Sequence, residues 1–372
     1  MNYIYQLGHC PELSLQEISF LTSQNLNSLN ADLKSKLALG KESLDCNSLA
    51  SVVWSAQVLA SVPVNGENWN ELNENLAIVL DTTKLREIGF FTNFPVSSKS
   101  KNEIYEILKS KCKRVSMLIA LAPNYGYWKK TKHWYGIIRF NGNFNLIKIE
   151  SMADQQYWNE LEASLPKTDL ARGVINLKLA KALLNLTNNT KIWDPFAGQG
   201  RIVCVGLKSK KHFFTSDIDK TVLGDLEENF DAAFEYELKN KKPDTVLQLA
   251  TLDQNFAEDA QKNKTILDAS PENMAIVTEG HLGFNPSRMD IKKPKATDES
   301  TKIDYLWQGL LAKSKSLGIK EIVGCVPFYP QIKYLPKYTF MKDNGYSLAF
   351  EPVEYSRAKS QVGHLVFKLV LE

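Results

Sequence analysis

The sequence predicts an α/β protein: a doubly wound, Rossmann-like domain in the C-terminal half, preceded by an α+β region. Three observations carry this. Between residues 190 and 330, short apolar runs alternate with helical stretches, the pattern of strands joined by crossover helices. The first run, Lys191 to Trp193, turns on Asp194-Pro195, passes Gly198 and Gly200, and enters an apolar stretch from Arg201 to Leu207. Strand, glycine-rich turn and helix in that order open a doubly wound sheet, and ligands bind at that turn. Finally, acidic residues follow successive strands: Asp194, Asp217, Asp253 and Glu279.

The elements are expected as follows. Tyr3 to Leu7 reads as a strand and Glu12 to Thr22 as a helix, while Ser51 to Ala60 is ambiguous by period. Asn102 is positioned to cap a helix in which Ile104, Ile107 and Leu108 share one face. Met117 to Leu121 reads as a strand. Gly136 to Phe140 and Asn145 to Glu150 pair around Asn141-Gly142, a strong hairpin turn. Residues 151–172 lack pattern and read as a linker. A short helix over 178–186 leads into the glycine-rich turn. Strands at His212 to Ser216, Thr245 to Leu249, Met274 to Thr278 and Ile319 to Val326 alternate with helices at Lys220 to Leu238 and Asp304 to Ser316. Ser347 to Phe350 and His364 to Leu371 close the chain as an antiparallel pair.

A chain of 372 residues admits two or three domains. Hydrophobic residues at 44% and charged residues at 23% are ordinary globular values. No apolar run reaches the ~18 residues of a membrane span, and Met1 to Gln6 lacks the marks of a signal peptide. The five cysteines, Cys10, Cys46, Cys112, Cys204 and Cys325, are odd in number, far apart and without a C-x-x-C pair. Reduced thiols, a cytoplasmic protein and no metal site are therefore expected.

Net charge is only +3, but residues 101–139 carry nine Lys/Arg against Glu103 and Glu106. Lys109, Lys111, Lys113, Arg114, Lys129, Lys130 and Lys132 belong to this block, and the stretch Asn124 to Tyr135 interleaves bases with aromatic rings. Lysines neutralise phosphates and rings stack bases, so the block suits RNA. The competing reading is a solvated helix face and a hairpin, with Trp134 and Tyr135 packed into the core.

Three ligands compete for the glycine-rich turn. A dinucleotide fingerprint, Gly-x-Gly-x-x-Gly/Ala, fails because Val203 occupies its third place. A P-loop needs a Lys-Ser/Thr pair after its last glycine, and none follows. S-adenosylmethionine is the third. Asp217 lies 23 residues after Asp194, close to the offset at which a carboxylate meets a ribose hydroxyl; Asp219 competes for that role. Asp253 is placed to meet an adenine amino group, and Asp194 to lie near the sulfonium, whose charge it complements.

Three stretches carry a family resemblance: Tyr3 to Glu17, Leu165 to Ala180, and Asp194-Pro-Phe-Ala-Gly-Gln-Gly200 with Asp217. The chain resembles the THUMP-containing RNA methyltransferases, and within them the tRNA guanine-10 N2-methyltransferase family. The resemblance implies a ferredoxin-like unit over 1–80, a THUMP-like RNA-binding domain over 81–160 and a Rossmann-like, S-adenosylmethionine-dependent methyltransferase domain over 161–372. It implies tRNA as partner and places Asp194, Phe196, Gly198, Gly200, Asp217 and Asp253 at the cofactor.

Two departures stand out. Asn176-Leu177 replaces a usual Pro-Pro pair. At the catalytic motif, where the family has Asp-Pro-Pro-Tyr or a close variant, this chain has Thr278-Glu279-Gly280-His281. Guanine's exocyclic amine is a poor nucleophile because its lone pair is delocalised. An acidic side chain and a backbone carbonyl hold it in line, and an aromatic ring stacks on the base. Glu279 can accept the amine N–H, His281 can stack, and Gly280 removes the stiffness of proline. The expected activity is tRNA guanine-N2 methylation. The alternatives are a weak or inactive RNA-binding homologue, or a methyltransferase for DNA or a protein amide.

Overall fold

The structure is a computed structural model. It describes residues 1–22, 24–64, 69–81, 86–131, 133–168, 174–209, 211–240, 251–254, 270–281, 293–342, 345–357 and 360–372, with 69, 81, 220 and 251–254 described by backbone alone. The chain divides into two compact units, Met1–Gln156 and Tyr157–Glu372.

The first unit is built on one eight-stranded sheet. Its elements are β1 (Tyr3–Leu7), α1 (Pro11–Thr22), β2 (Asn30–Asp32), β3 (Leu37–Gly40), β4 (Val52–Pro63), α2 (Trp69–Asp81), β5 (Glu87–Thr92), α3 (Ser98–Lys111), β6 (Arg114–Leu118), α4 (Tyr125–Lys130), β7 (Trp134–Phe140) and β8 (Asn143–Met152). The strand order is β2-β3-β1-β4-β8-β7-β5-β6. β4, ambiguous by period, is the strand that joins the two halves. It pairs with β1 through Tyr3 and Gln57, and with β8 through Trp54 and Met152. Its side chains enter clusters on both faces of the sheet, Trp54 and Ala56 on one and Val62 on the other, and register shifts interrupt it, so the alternation of a strand with one solvated face is lost.

Several local expectations change. Ser97, not Asn102, caps α3: its side chain accepts the Ser100 N–H, so Asn102 falls inside the helix. β6 begins three residues before the expected Met117. The aromatic-basic stretch begins as a short helix and ends in the first strand of the β7–β8 hairpin, where the competing reading placed Trp134 and Tyr135. Asn124 accepts the Tyr127 N–H and starts α4, whose Tyr125 and Trp128 pack on the core. Trp134 and Tyr135 are each only 1% exposed, buried in different clusters on the two faces of the sheet. They are therefore core residues and are not available to stack bases. The expected linker contains the helix α5 (Gln155–Ser164), which buries Trp158 and Leu161.

The second unit holds α6 (Leu177–Asn185), β9 (Lys191–Asp194), α7 (Arg201–Gly206), β10 (His212–Thr215), α8 (Lys220–Lys239), β11 (Thr251–Gln254), β12 (Met274–Thr278), α9 (Lys293–Ser316), β13 (Glu321–Phe328), β14 (Tyr346–Leu348), β15 (Val353–Tyr355) and β16 (Gly363–Leu371). The sheet runs β11-β10-β9-β12-β13-β16-β14, with β15 also on β16. β9 to β13 are parallel, and β16 is antiparallel to β13, β14 and β15. The expected Thr245–Leu249 lies outside the described residues. The strand that pairs with β10 is Thr251–Gln254, so Asp253 lies within a strand and not after one. α9 starts eleven residues before the expected Asp304.

Candidate cofactor and acceptor site

The order of strands reverses between β9 and β12, because β10 and β11 extend the sheet one way and β12 and β13 the other. A crevice opens at the carboxyl ends of such a pair. Asp194 ends β9, level with Thr215 of β10. Asp217 lies two residues past β10, and Glu279 one residue past β12. Strand register thus brings three of the four expected acids to one edge. The fourth, Asp253, is level with Phe214, and its side chain lies outside the described residues.

Both glycines of the turn take left-handed conformations, with φ of 50° at Gly198 and 77° at Gly200. A Cβ at Gly200 would meet Leu226 at 2.5 Å, so glycine there serves packing as well as backbone. Beside Gly198 no atom lies within 4 Å of the position a Cβ would take. That open face is what close approach of a ligand requires.

Asp217 ties this turn to the next strand. Its Oδ2 accepts the Gly198 N–H at 2.9 Å and its Oδ1 the Asp219 N–H at 2.9 Å. A carboxylate has about four acceptor positions, so two remain for a ribose. Asp219, the competitor, caps α8 instead, accepting from the Thr221 N–H at 2.9 Å and hydroxyl at 2.7 Å. Between them Ile218 is 87% exposed, an apolar side chain held in solvent at the edge of the crevice.

Asp194 is 1% exposed. Burial pushes its carboxyl up to about 7, and the charges of Asp217 and Glu279 add to the rise, while a hydrogen bond from Thr278 and one from the Phe196 N–H oppose it. The half-buried Phe196 packs against the core, its ring centre 6.3 Å from that of Trp307. Behind the turn, buried Arg201 forks onto Glu162 at 2.7 and 2.5 Å and so fixes the start of α7.

On the other side of the crevice, the Glu279 Oε1 lies 3.1 Å from the His364 Nε2. Gly280 has a φ of 71°, and a Cβ there would meet Trp307 at 2.8 Å. Proline, confined to φ near −65°, cannot occupy this position. His281 is exposed, and residues 282 and 283 lie outside the described residues. Sequence reasoning missed His364, Trp307 and Ile218. Only Ile218 carried a signal, as an apolar residue set between two acids.

In the first unit, Lys109 and Lys111 occupy the last turn of α3, and Lys113 and Arg114 lead into β6. Lys129 and Lys130 end α4; Lys132 lies outside the described residues. α3 and α4 pack on opposite faces, since Ile104 and Leu108 join one cluster and Tyr125 and Trp128 the other. Both helices return the chain to the starts of parallel strands, with Arg114 paired with Glu87 and Trp134 with Gly89. The bases therefore gather at one end of the sheet.

No helix among the described residues is long and apolar enough to cross a membrane, and none of these residues form a cluster of three or more metal-binding side chains.

The strand order, the reversed β16 and the glycine-rich turn with its acids define a Rossmann-like methyltransferase fold. No family model matches the chain, and no curated protein matches it. Among solved structures, the chain aligns with TrmN from Thermus thermophilus at 13% identity over 100% of both chains, with a TM-score of 0.48. It aligns with magnesium protoporphyrin IX methyltransferase (ChlM) from Synechocystis PCC 6803 with bound SAM at 12% identity, over 59% of this chain and 92% of that one, TM-score 0.31. NSun6 from Pyrococcus horikoshii with SFG aligns at 14% identity over 64% of this chain and 67% of that one, TM-score 0.34.

Proposed function

We propose that this protein is a cytoplasmic, S-adenosylmethionine-dependent tRNA methyltransferase acting on the N2 amine of a guanosine. The observation that carries the reading is the pairing of two features across one switch point. A ligand-accessible glycine turn is tied to Asp217 on one side, and a Glu279 carboxylate stands on the other. Gly198 and Gly200 would face the cofactor, Asp217 its ribose, Ile218 one face of its adenine, and Asp194 its cationic centre; Asp253 is proposed for the adenine amino group. When bound, S-adenosylmethionine supplies an electrophilic methyl group.

The protein's own part is placement. Glu279 accepts an N–H of the target amine, orients its lone pair and takes the proton that the alkylated nitrogen releases. His281 stacks on the base. Fixed acceptors of this kind act mainly by orientation and electrostatics. The basic end of the first sheet, Lys109 to Arg114 with Lys129 and Lys130, is the proposed tRNA grip, the THUMP-like part of the chain, and Lys132 is proposed to act with it.

Left-handed Gly280 favours a second reading, a homologue that binds RNA with little or no transfer, because it gives the acceptor loop a backbone that Asp-Pro-Pro cannot adopt. Incubation with methyl-labelled S-adenosylmethionine and bulk tRNA, followed by nucleoside analysis, separates the two. Label in N2-methylguanosine supports the enzyme. Tight tRNA binding without label supports the second reading, and label in DNA or protein alone redirects the substrate.

A further inference from the structure

Glu279, just past β12, and His364, on β16, are 85 positions apart in sequence and β13 separates those strands, yet their side chains meet. Each is about 15% exposed: 15% for Glu279 and 16% for His364. His364 starts β16 opposite Pro327 of β13 and Tyr355 of β15. The Tyr355 ring packs edge-on against the imidazole at 6.4 Å. The imidazole is thereby held from one side and directed at the carboxylate from the other.

A carboxylate oxygen accepts, so the contact is a hydrogen bond in the tautomer that carries its proton on Nε2. Oε1 is engaged by that donor, while Oε2 has no partner among the described residues. The backbone of Glu279 is held as well, its carbonyl accepting the Cys325 thiol at 3.6 Å. A glutamate has one more rotatable bond than an aspartate. Set beside a glycine and not a proline, it needs an external tether to aim its free oxygen.

We infer that His364 is the positioning residue of this site: it fixes one oxygen of Glu279 so that the other faces the acceptor amine. The role rests on reading the site as a methyltransferase. It supplies the rigidity that Gly280 takes away from the acceptor loop.

Three variants test it. Glutamine places an amide N–H near the imidazole Nε2 position, whereas leucine fills the space with no donor. His364→Leu should lower kcat for methyl transfer to tRNA ten- to a hundredfold with unchanged S-adenosylmethionine affinity by calorimetry. His364→Gln should recover most of that loss. Independently of activity, Glu279→Ala and His364→Leu should each shift the thermal midpoint, and the double variant should shift it by less than their sum, because both remove one contact. Full activity in His364→Leu, equal loss in His364→Gln, or additive thermal shifts would each overturn the inference while leaving the methyltransferase reading intact. A wild type that transfers label to neither nucleic acid nor protein overturns both, even if the thermal cycle shows the contact.

Discussion

The Asp217 carboxylate accepts the backbone N–H of Gly198 at 2.9 Å, tying the glycine-rich turn after β9 to the loop after β10. A residue expected for ribose recognition is therefore also a clamp on the turn itself. The two sides of the crevice are organised alike: Asp217 holds the Gly198 turn, and His364 meets the Glu279 carboxylate.

Asp217→Ala should weaken S-adenosylmethionine binding by more than one charged hydrogen bond alone, which is worth roughly 1.5–3 kcal/mol, because the Gly198 turn also loses its anchor. Asp219→Ala should cost stability instead, about 1 kcal/mol for a lost helix cap, with little change in affinity. Calorimetry and thermal melts of both variants check this. Equal affinity losses would return Asp219 to the ribose.

Asp194 gives a pH signature. Its folded value of about 7 lies above the ordinary 3.8, so the folded state holds a proton that the unfolded chain has already lost. Stability is fully present below about 4 and falls as pH rises towards 7, by at most ~1.4 kcal/mol per unit. Asp194→Asn should flatten that decline. Binding of the sulfonium cation favours ionised Asp194, so affinity for S-adenosylmethionine should rise between about pH 6 and 8. Affinity for S-adenosylhomocysteine, which lacks the sulfonium charge, should not. Parallel pH titrations of the two ligands decide it, and identical slopes would remove Asp194 from the cationic centre.

Glu279→Ala should slow methyl transfer by a factor on the order of 10²–10³, as for loss of other single preorganised polar contacts. Glu279→Gln keeps one carbonyl oxygen and should retain part of the activity. Both should bind cofactor almost as wild type does. Loss of base stacking in His281→Ala should cost roughly 1–3 kcal/mol, and His281→Tyr should preserve or raise the rate. A Glu279→Ala protein as fast as wild type would falsify the acceptor role.

Gly280→Ala should destabilise the protein by about 1–2 kcal/mol, the usual cost of a left-handed non-glycine residue, and more where Trp307 cannot yield. Gly280→Pro should be worse, since the ring fixes φ on the opposite side. A proline variant as stable as wild type in denaturant melts would be incompatible with a left-handed residue at position 280.

Reversing Lys111, Lys113 and Arg114 to Glu should weaken tRNA binding and flatten its salt dependence, since fewer counterions are released. Reversing Lys129 and Lys130 should add to the effect, because both groups lie at one end of the sheet. Filter binding across a salt series, with circular dichroism as a folding control, tests this. Binding unaffected by either set would leave the bases as solvated surface.

Much of this was legible in the chain by itself. The β9 turn, the alternation after it, the hairpin at Asn141-Gly142 and the order of acids along the strands are local signals, written in neighbouring residues. The α/β class and the placing of Asp194, Asp217 and Glu279 at strand ends follow from them. Other features depend on residues far apart. Whether Trp134 and Tyr135 stack bases or fill a core is decided by burial on a sheet whose strands come from across the first 152 residues. Only through-space contact shows that Asp219 caps while Asp217 clamps, or that Trp307 closes the space above Gly280. His364 meets Glu279 because an antiparallel strand returns to the carboxyl edge of a parallel sheet. Local pattern specifies the strands, but only their packing chooses which side chains meet.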